Sequence, residues 1–358
     1  MRVVVAMSGG VDSAVAVALL KEQGHEVIGI TMRLYDERSE ESGARGCCGL
    51  GAIDDARRVA ARLEIPFYAL DLRREFERLV IEEFCSEYAR GRTPNPCIRC
   101  NEAVKFRLLA EKAMQFGAEA LATGHHARLE RDGNGTWHLR KGVDQNKDQS
   151  YFLYQLTQEQ MARILMPVGD YSKEAVREKA RNLSLPVAEK PESQEICFVP
   201  DGDHVAFLRM RRPELFRPGP VYDTRGRLLG EHQGIAAFTL GQRKGLGIAL
   251  GERHYVVRLD VERNAVILGT EAEAYGIRVL AARASWVSGK NPDRPFRAWA
   301  KVRYQSPGGE ALVEPLDACQ VRVTFDEPQW APTPGQAVVF WQGDEVVGGA
   351  VIESGPGE

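Results

Sequence analysis

The segment at residues 8–13 reads SGGVDS and lies between an apolar run at residues 3–6 and an apolar-rich stretch at residues 14–22. The apolar run is typical of a strand buried on both faces of a parallel sheet, and the following stretch predicts a helix. Gly9 and Gly10 allow a tight turn that presents several backbone N–H groups at the helix N-terminus, where the helix dipole favours an anion. Hydroxyls of Ser8 and Ser13 can add donors. The segment therefore predicts a phosphate-binding loop, although a Gly-Gly turn after a strand is often only a turn.

Asp12 is the one charged residue of this loop, and two roles are open for it. A carboxylate beside bound phosphates is placed to hold Mg²⁺. A short polar side chain at the start of a helix is also a common N-terminal cap. The loop is neither of two familiar nucleotide-binding motifs, because it lacks the lysine of G-x-x-x-x-G-K-[ST] and the spacing of G-x-G-x-x-G.

Cys97 and Cys100 form a C-x-x-C pair within residues 91–101 (GRTPNPCIRCN). Two prolines and a glycine predict that this segment is a loop without regular structure, as is common for active-site segments. A single C-x-x-C indicates a redox pair, half of a zinc site or part of a cluster ligand set. No second C-x-x-C and no H-x₃₋₅-H follows, which argues against structural zinc. Cys197 lies far downstream, and alone it would more often be a buried structural thiol.

The remaining cysteines carry weaker signals. Cys47 and Cys48 are adjacent and flanked by glycines, and we interpret them as structural. Cys85, in a helical pattern, and Cys319, near a strand pattern, are predicted to lie in the core. Seven cysteines in a chain of 358 residues do not indicate a disulfide framework.

Composition limits the class of protein. Hydrophobic residues make up 44% of the chain and charged residues 27%, which is ordinary for a globular protein with two or three domains. No apolar run approaches the ~18 residues of a membrane span, and the first apolar run is too short for a signal peptide, so we expect a cytoplasmic protein. The net charge of −3 argues against indiscriminate nucleic-acid binding. Residues 205–260 nevertheless hold ten Lys/Arg against five Asp/Glu, and the densest basic cluster is Arg209, Arg211, Arg212 and Arg217. A solvated surface is the plainer interpretation of that cluster.

The first 200 residues alternate strand and helix patterns. This rhythm predicts an α/β fold with a doubly wound parallel sheet, in which ligands bind beyond the carboxyl ends of the strands. Met32, Gly124 and the loop at residues 8–13 all lie at such ends. The predicted elements are strands at residues 27–32, 66–70 and 119–122, helices at 53–63, 75–89 and 105–114, and a hairpin at 128–140.

After Pro200 the pattern changes to short β-type runs with Pro/Gly punctuation. Residues 211–220 indicate a linker. The predicted strands are 236–240, 254–259, 265–268, 279–286, 296–304, 320–325, 336–341 and 345–352. The last five predict a small C-terminal β-barrel. We therefore predict an N-terminal domain at residues 1–203, a small β-rich central domain at 204–270 and a barrel domain at 271–358.

SGGVDS resembles the PP-loop of ATP pyrophosphatases, which release pyrophosphate and leave AMP on the substrate. Together with six further motifs in the same order, the whole chain resembles the tRNA-specific 2-thiouridylase family. Those motifs are residues 91–106 (GRTPNPCIRCNEAVKF), 123–127 (TGHHA), 144–152 (DQNKDQSYF), 193–199 (SQEICFV), 239–246 (TLGQRKGL) and 301–304 (KVRY).

This resemblance implies ATP and Mg²⁺ as cofactors, a catalytic cysteine at Cys100 and a persulfide-bearing cysteine at Cys197. The implied nucleotide-binding residues are Ala6, Met7, Ser8, Gly9, Gly10, Val11, Asp12, Ser13, Met32 and Gly124. The implied tRNA contacts are Asn95, Pro96 and Cys97 at the target base, with His125, Lys147, Asp148, Gln149, Arg303, Tyr304 and Gln336. The implied partners are tRNAs for Lys, Glu and Gln and a persulfide donor such as a cysteine desulfurase or relay protein. Two departures stand out, since many members have Asp where this chain has Cys97, and tyrosine is common at His126.

The residue chemistry agrees with this assignment. The C2 oxygen of uridine is a poor leaving group until AMP is transferred to it, and a low-pKa thiolate or persulfide is then a good nucleophile at C2. A second cysteine could attack the persulfide, giving a Cys100–Cys197 disulfide and delivering sulfide to the target. The wobble base must leave the anticodon stack to reach such a pocket, which a single-stranded loop permits at low cost. The basic cluster and Arg303 would then hold phosphates.

Alternatives remain open at two levels. Cys97, Cys100 and Cys197 could hold a 4Fe–4S cluster with one open iron that carries the sulfide, or Cys97 could only line the base pocket. At the level of function, the rivals are an amide-forming ATP-pyrophosphatase ligase and a non-enzymatic, ATP-sensing RNA-binding module with a structural metal. The ligase has no use for partnered cysteines and a basic β-rich tail.

Overall fold

The computed structural model describes residues 1–35, 50–191, 195–248 and 253–356. Within them the chain forms two compact units, each built from more than one segment. The first unit comprises residues 1–81, 96–202 and 344–346, and the second comprises 82–95, 203–343 and 347–358. Cys47 and Cys48 lie outside the described residues. The predicted boundaries of the three domains stay a prediction.

The helices follow in chain order. The α-helices are α1 Val11–Glu22, α2 Leu50–Arg62, α3 Arg73–Phe76, α4 Glu82–Ala89, α5 Pro96–Cys100, α6 Ala110–Gln115, α7 Gln158–Met161, α8 Lys173–Asn182 and α9 His204–Arg211. Two segments are wound as π-helix, Glu77–Ile81 between α3 and α4 and Asn101–Leu109 between α5 and α6. Single 3₁₀ turns occur at Ser150–Leu153, Pro200–Gly202, Pro213–Leu215, Ile235–Ala237 and Ala272–Ala274.

The strands are numbered in the same way. They are β1 Arg2–Ala6, β2 Glu26–Arg33, β3 Phe67–Asp71, β4 Ala120–Ala122, β5 Ala127–Arg131, β6 Trp137–Lys141, β7 Ile164–Leu165, β8 Gly219–Asp223, β9 Leu228–His232, β10 Tyr255–Asp260, β11 Ala265–Gly269, β12 Tyr275–Trp286, β13 Phe296–Lys301, β14 Gly309–Pro315, β15 Val321–Trp330, β16 Ala337–Gln342 and β17 Glu345–Ile352.

A parallel sheet in the order β3-β2-β1-β4-β7 forms the centre of the first unit. Val3, Val4 and Val5 of β1 are fully buried, as expected of a strand covered on both faces. The strand order reverses between β1 and β4, and this is the point at which ligands bind in doubly wound sheets. The predicted α/β fold class is confirmed, and the loops after β1 and β4 lie at that switch point.

Most predicted elements of the first unit are found, including the hairpin, which is β5 and β6 joined around residues 132–135. The prediction of an irregular loop through the C-x-x-C pair is wrong, because Pro96–Cys100 is the helix α5. Proline favours the first position of a helix, where its missing N–H is not needed and its fixed φ suits the first turn. Pro96 therefore starts the helix that carries both cysteines and does not interrupt it.

The second unit contains a closed barrel and a four-stranded sheet. The barrel runs β12-β15-β14-β13-β16-β17, and the pairing of β12 with β17 closes it. Its interior is filled by small and branched side chains such as Val313, Val323 and Ala300, all fully buried. The smaller sheet has the order β10-β11-β8-β9. Both confirm the β-rich central and barrel regions predicted after residue 203.

Several details of this unit differ from the predictions. The predicted strand at 236–240 is wrong, because Ile235–Ala237 is a 3₁₀ turn whose apolar side chains are buried in the core of the four-stranded sheet. The segment predicted to be a linker contains the strand β8. Pro220 is tolerated in this strand because its parallel pairing with β11 starts only at Val221. The strands β9 and β14 were not predicted. Cys319 is exposed instead of buried, because it lies in a turn closed by the side chain of Asp317.

No helix in the described ranges is long and apolar enough to cross a membrane.

Candidate nucleotide and sulfur-transfer site

The loop between β1 and α1 has the geometry expected of an anion-binding turn. Gly9 adopts a φ of +69°, and a Cβ placed on it would lie 2.3 Å from the carbonyl oxygen of Ala52. The residue preceding α1, Gly10, is extended and makes no side-chain cap. No side chain at the capping position therefore competes for the first N–H groups of α1, as an anion site requires.

The two serines tie this loop together. The Ser13 hydroxyl donates to the carbonyl of Gly10 at 3.0 Å and accepts from the backbone N–H of Ser8 at 3.2 Å. The Ser8 and Ser13 hydroxyl oxygens are 3.4 Å apart. Ser13 thus helps to fix the turn, besides its predicted role as a donor.

Gly124 follows β4 and packs directly onto the start of α1. A Cβ on Gly124 would lie 2.6 Å from the backbone nitrogen of Ser13 and 2.7 Å from the carbonyl carbon of Asp12. Met32 near the end of β2 and Met7 after β1 are both buried beside the same sheet edge. The structure therefore brings the predicted nucleotide residues of β1, β2 and the β4 loop to one edge of one sheet.

Asp12 does not cap its helix, so that alternative is wrong. Instead, its two carboxylate oxygens each lie 2.7 Å from the ammonium nitrogen of Lys173, and Nε2 of His126 is 3.1 Å from Oδ1. Burial by itself raises the pKa of Asp12, but the hydrogen bond with His126 and the charge of Lys173 outweigh it, and the pKa lies below its usual value. Asp12 is thus a charged carboxylate at the phosphate loop.

Two lysines at this loop were missed by sequence reasoning. Lys173 is the first residue of α8, and its own N–H donates to the carboxylate of Asp144 at 3.0 Å. Lys190 donates from Nζ to the carbonyl of Gly9 at 3.0 Å and to Asp55 of α2 at 2.6 Å. Both lie at least 160 residues from the loop along the chain, and a lysine in an amphipathic or polar stretch carries no local signal of such a contact.

The segment at residues 147–149 braces the turn that holds His125 and His126. The side-chain oxygen of Gln149 accepts from the backbone N–H of His126 at 3.0 Å. Asp148 accepts from the N–H groups of Gly142 and Ser150, both at 3.1 Å, and burial raises its pKa. These contacts show what holds the segment in place, and its predicted contact with tRNA stays a prediction.

His125 is buried, and its Nδ1 lies 2.8 Å from the hydroxyl oxygen of Thr123. Burial, with a contribution from the charge of Lys105, holds the pKa of His125 well below its usual value. The imidazole is therefore neutral near pH 7, and it can contact RNA only as a hydrogen-bonding or stacking group.

The three candidate cysteines lie in the first unit with different exposures: Cys97 is exposed, Cys100 is buried and Cys197 is half-buried. The helix carrying the first two is anchored by Arg99, which donates to the carbonyl of Leu79 at 3.1 Å, and the π-helical turn after it is held by Asn101. Irregular π turns recur at functional sites. Across residues 1–35, 50–191, 195–248 and 253–356, no three His, Cys, Asp or Glu side chains form a group that could hold a metal ion. As placed, these cysteines do not fit an iron–sulfur cluster.

Two predicted tRNA contacts support backbone in the second unit. Arg303 donates from Nη2 to the carbonyls of Leu240 and Ala331, both at 2.9 Å. Gln336 donates to the carbonyl of Thr93 at 2.8 Å, and so braces the segment that leads to Asn95. Tyr304 follows Arg303 in the turn after β13.

The basic cluster lies on and after α9. Arg209 and Arg211 are exposed, and their guanidinium groups lie 4.4 Å and 5.3 Å from the ring centroids of Phe216 and Phe207, respectively. Arg212 is 3.7 Å from Glu214. Stacking on an aromatic ring orders a guanidinium while leaving its N–H edge directed outward, which suits phosphate contact.

Three family models match the chain in succession. Residues 1–201 match the tRNA methyl transferase HUP domain, residues 206–270 the tRNA methyl transferase PRC-barrel domain, and residues 278–352 the Aminomethyltransferase beta-barrel domain. The first of these covers the phosphate loop and all three candidate cysteines.

Full-length relatives are similar across the whole chain. The tRNA-specific 2-thiouridylase MnmA of Carboxydothermus hydrogenoformans is 51% identical over 355 residues, which is 98% of this chain and 97% of that protein. The protein of the same name from Acetivibrio thermocellus is 50% identical, covering 98% of this chain and 99% of the relative. That of Heliobacterium modesticaldum is 50% identical, with 98% and 92% covered.

Proposed function

Because the chain belongs to the tRNA-specific 2-thiouridylase family, we propose that it uses ATP to activate the C2 oxygen of a wobble uridine in tRNA and then replaces that oxygen with sulfur. The observation that carries this proposal is the 51% identity over 98% of the chain, which includes the loop after β1 and the cysteines of α5. A tRNA-modifying enzyme needs tRNA and ATP in its compartment, which agrees with the expected cytoplasmic location.

The activation step falls to the loop between β1 and α1. The C2 oxygen of uridine attacks the α-phosphorus of ATP, AMP becomes bonded to that oxygen, and pyrophosphate leaves. The uncapped N–H groups at the start of α1 are the donors for the departing phosphates. Mg²⁺ typically binds one or two carboxylates and completes its shell with phosphate oxygens and waters, so the single carboxylate of Asp12 fits it. When bound, the cation would neutralise charge on the leaving group.

The sulfur step falls to Cys100 and Cys197. A persulfide donor first places a sulfane sulfur on Cys197. The thiolate of Cys100 then attacks Sγ of Cys197, which forms the Cys100–Cys197 disulfide and releases hydrogen sulfide. Sulfide adds to the activated C2, and AMP departs with the former O2. The sulfane sulfur is reduced as the two thiols are oxidised, so an external dithiol must reduce the disulfide before the next turnover.

This route uses no iron–sulfur cluster, and Cys97 lines the pocket of the target base as Asp would. Its exposure beside a buried Cys100 supports that role. Cys97→Asp protein, prepared metal-free, is therefore expected to thiolate as well as wild type. Loss of thiolation in this variant, together with an absorbance band near ~400 nm after anaerobic reconstitution of wild type, would instead favour the cluster.

The proposal as a whole is tested by the product. The protein is incubated with a tRNA bearing a wobble uridine, ATP, Mg²⁺ and a persulfide donor, and the nucleosides are analysed by mass spectrometry after digestion. We expect 2-thiouridine at the wobble position and pyrophosphate release that depends on added tRNA. Pyrophosphate release without tRNA would favour an amide-forming ligase, and tRNA binding without pyrophosphate release would favour the non-enzymatic module.

We also propose that Arg209, Arg211 and Arg212 bind tRNA phosphates. Each phosphate contact contributes about 0.7 to 0.9 to the slope of log affinity against log salt concentration. The triple Ala variant should therefore bind tRNA more weakly and with a slope smaller by about 2. A matched triple variant, Arg62→Ala with Lys179→Ala and Arg181→Ala, removes three charges from the first unit and should leave the slope unchanged. Equal slopes for wild type and the triple Ala variant of the basic cluster would indicate that the cluster is only a solvated surface.

A further inference from the structure

The ammonium group of Lys173 pairs with the carboxylate of Asp12, which is the group placed to hold the divalent cation. Its ammonium nitrogen is 2.7 Å from both oxygens of Asp12, which is the position of a bidentate cation. The lysine is buried, with a relative exposure of 8%, and the Asp12 side chain is 28% exposed. The pair is thus sheltered from water on the lysine side and open on the side of the aspartate.

The aspartate has little freedom to turn away from this lysine. Nε2 of His126 lies 3.1 Å from Oδ1, and the backbone of Asp12 is packed against Gly124 without room for a methyl group. A buried ammonium whose counter-charge is removed pays a large desolvation cost. Any cation that takes Asp12 must therefore also compensate Lys173.

A divalent cation that binds without nucleotide cannot compensate the charge of Lys173. It would meet the positive charge of Lys173 at a single carboxylate, and within the described ranges no third acidic or histidine ligand completes a metal group there. A nucleotide brings several negative phosphate charges, which can satisfy the cation and the displaced ammonium together. Charge balance at this loop thus requires the metal and the phosphates to arrive together.

We propose that Lys173 is a positioning residue that stands in for the divalent cation on Asp12 and so makes cation binding conditional on bound nucleotide. It holds the carboxylate in one orientation, and it prevents the loop from collecting a metal without ATP. This inference rests on the nucleotide-binding part of the proposed function and is independent of sulfur transfer to tRNA.

The test measures Mn²⁺ binding to the full-length protein by electron paramagnetic resonance, with no nucleotide present. Wild type should show no binding that depends on Asp12. Lys173→Met should bind Mn²⁺ at least about tenfold more tightly than wild type does. Removal of a neighbouring charge is commonly equivalent to one pK unit or more. The double variant with Asp12→Asn should lose that gained site.

Two further variants separate charge from structure. Lys173→Arg keeps the positive charge and should behave as wild type. Lys179→Met removes a lysine from the same helix that pairs with Glu22 on the surface, and it should also leave Mn²⁺ binding unchanged. Circular dichroism and thermal unfolding establish that each variant is folded.

Folded Lys173→Met protein without a new Mn²⁺ site would overturn the inference. So would an Asp12-dependent Mn²⁺ site in nucleotide-free wild type, a result that needs no variant of Lys173. No arm of the experiment uses tRNA. Failure of tRNA thiolation with this Mn²⁺ pattern intact would count against the proposed function alone, and the reverse result would count against this inference alone.

Discussion

Cys100→Ser protein should release pyrophosphate in the presence of tRNA yet form almost no 2-thiouridine. In the proposed mechanism the thiolate of Cys100 breaks the persulfide on Cys197, and a serine hydroxyl, with its far higher pKa, cannot replace it. We expect thiolation to fall by at least about 10³-fold, as is common when a nucleophile is removed. Activation of the C2 oxygen precedes this step and uses no sulfur, so it should continue.

The measurement pairs nucleoside mass spectrometry with a pyrophosphate assay on the same reactions. Cys319→Ser is the matched control, because Cys319 is an exposed cysteine in a turn of the second unit and should tolerate the change. Cys100 is buried, so the folded state of the serine variant is checked by circular dichroism. Substantial 2-thiouridine formation by Cys100→Ser would refute the role of Cys100, whereas loss of pyrophosphate release as well would move that role to activation.

The sequence alone was sufficient to predict those features in which neighbouring residues carry the structural signal. The valines of β1, the two glycines after it and the apolar start of α1 follow each other directly, so the phosphate loop could be located from its own residues. The parallel direction of the strands in the sheet followed from the alternation of strand and helix patterns. Five of the six barrel strands were predicted, because alternation such as that of β15 gives a clear period of two, whereas β14 was missed.

Features that depend on distant contacts could not be predicted. Nothing local marks Lys173 or Lys190 as partners of the phosphate loop, since each reaches it only after the chain has folded. The helix α5 was missed because Pro96 was interpreted as a breaker, although proline is also a good first residue of a helix. The apolar run at residues 236–240 was mistaken for a strand, because burial in a turn and burial in a strand select the same side chains.

Gly124→Ala should weaken ATP binding strongly, although the residue lies outside the phosphate loop itself. The new Cβ would lie 2.6 Å from the backbone nitrogen of Ser13 and 2.7 Å from the carbonyl carbon of Asp12. Both are backbone atoms at the start of α1, so no side-chain rotation can relieve the contact. The loop after β4 and the start of α1 must therefore move apart, and the N–H groups that face the phosphates move with the helix.

We expect Gly124→Ala to lower the free energy of unfolding by about 1 to 3 kcal/mol, the usual cost of overpacking, and to weaken binding of a non-hydrolysable ATP analogue by at least about tenfold. Urea unfolding and isothermal titration calorimetry measure the two effects separately. Gly133→Ala is the matched control, because a Cβ on Gly133 meets no atom within 4 Å, and both quantities should stay near wild type. If Gly124→Ala binds the analogue with wild-type affinity, the close packing of Gly124 on α1 does not shape the phosphate site. If affinity falls while stability is unchanged, the contact acts on the geometry of the loop alone, and the N–H groups at the start of α1 are then the part of the site most sensitive to position.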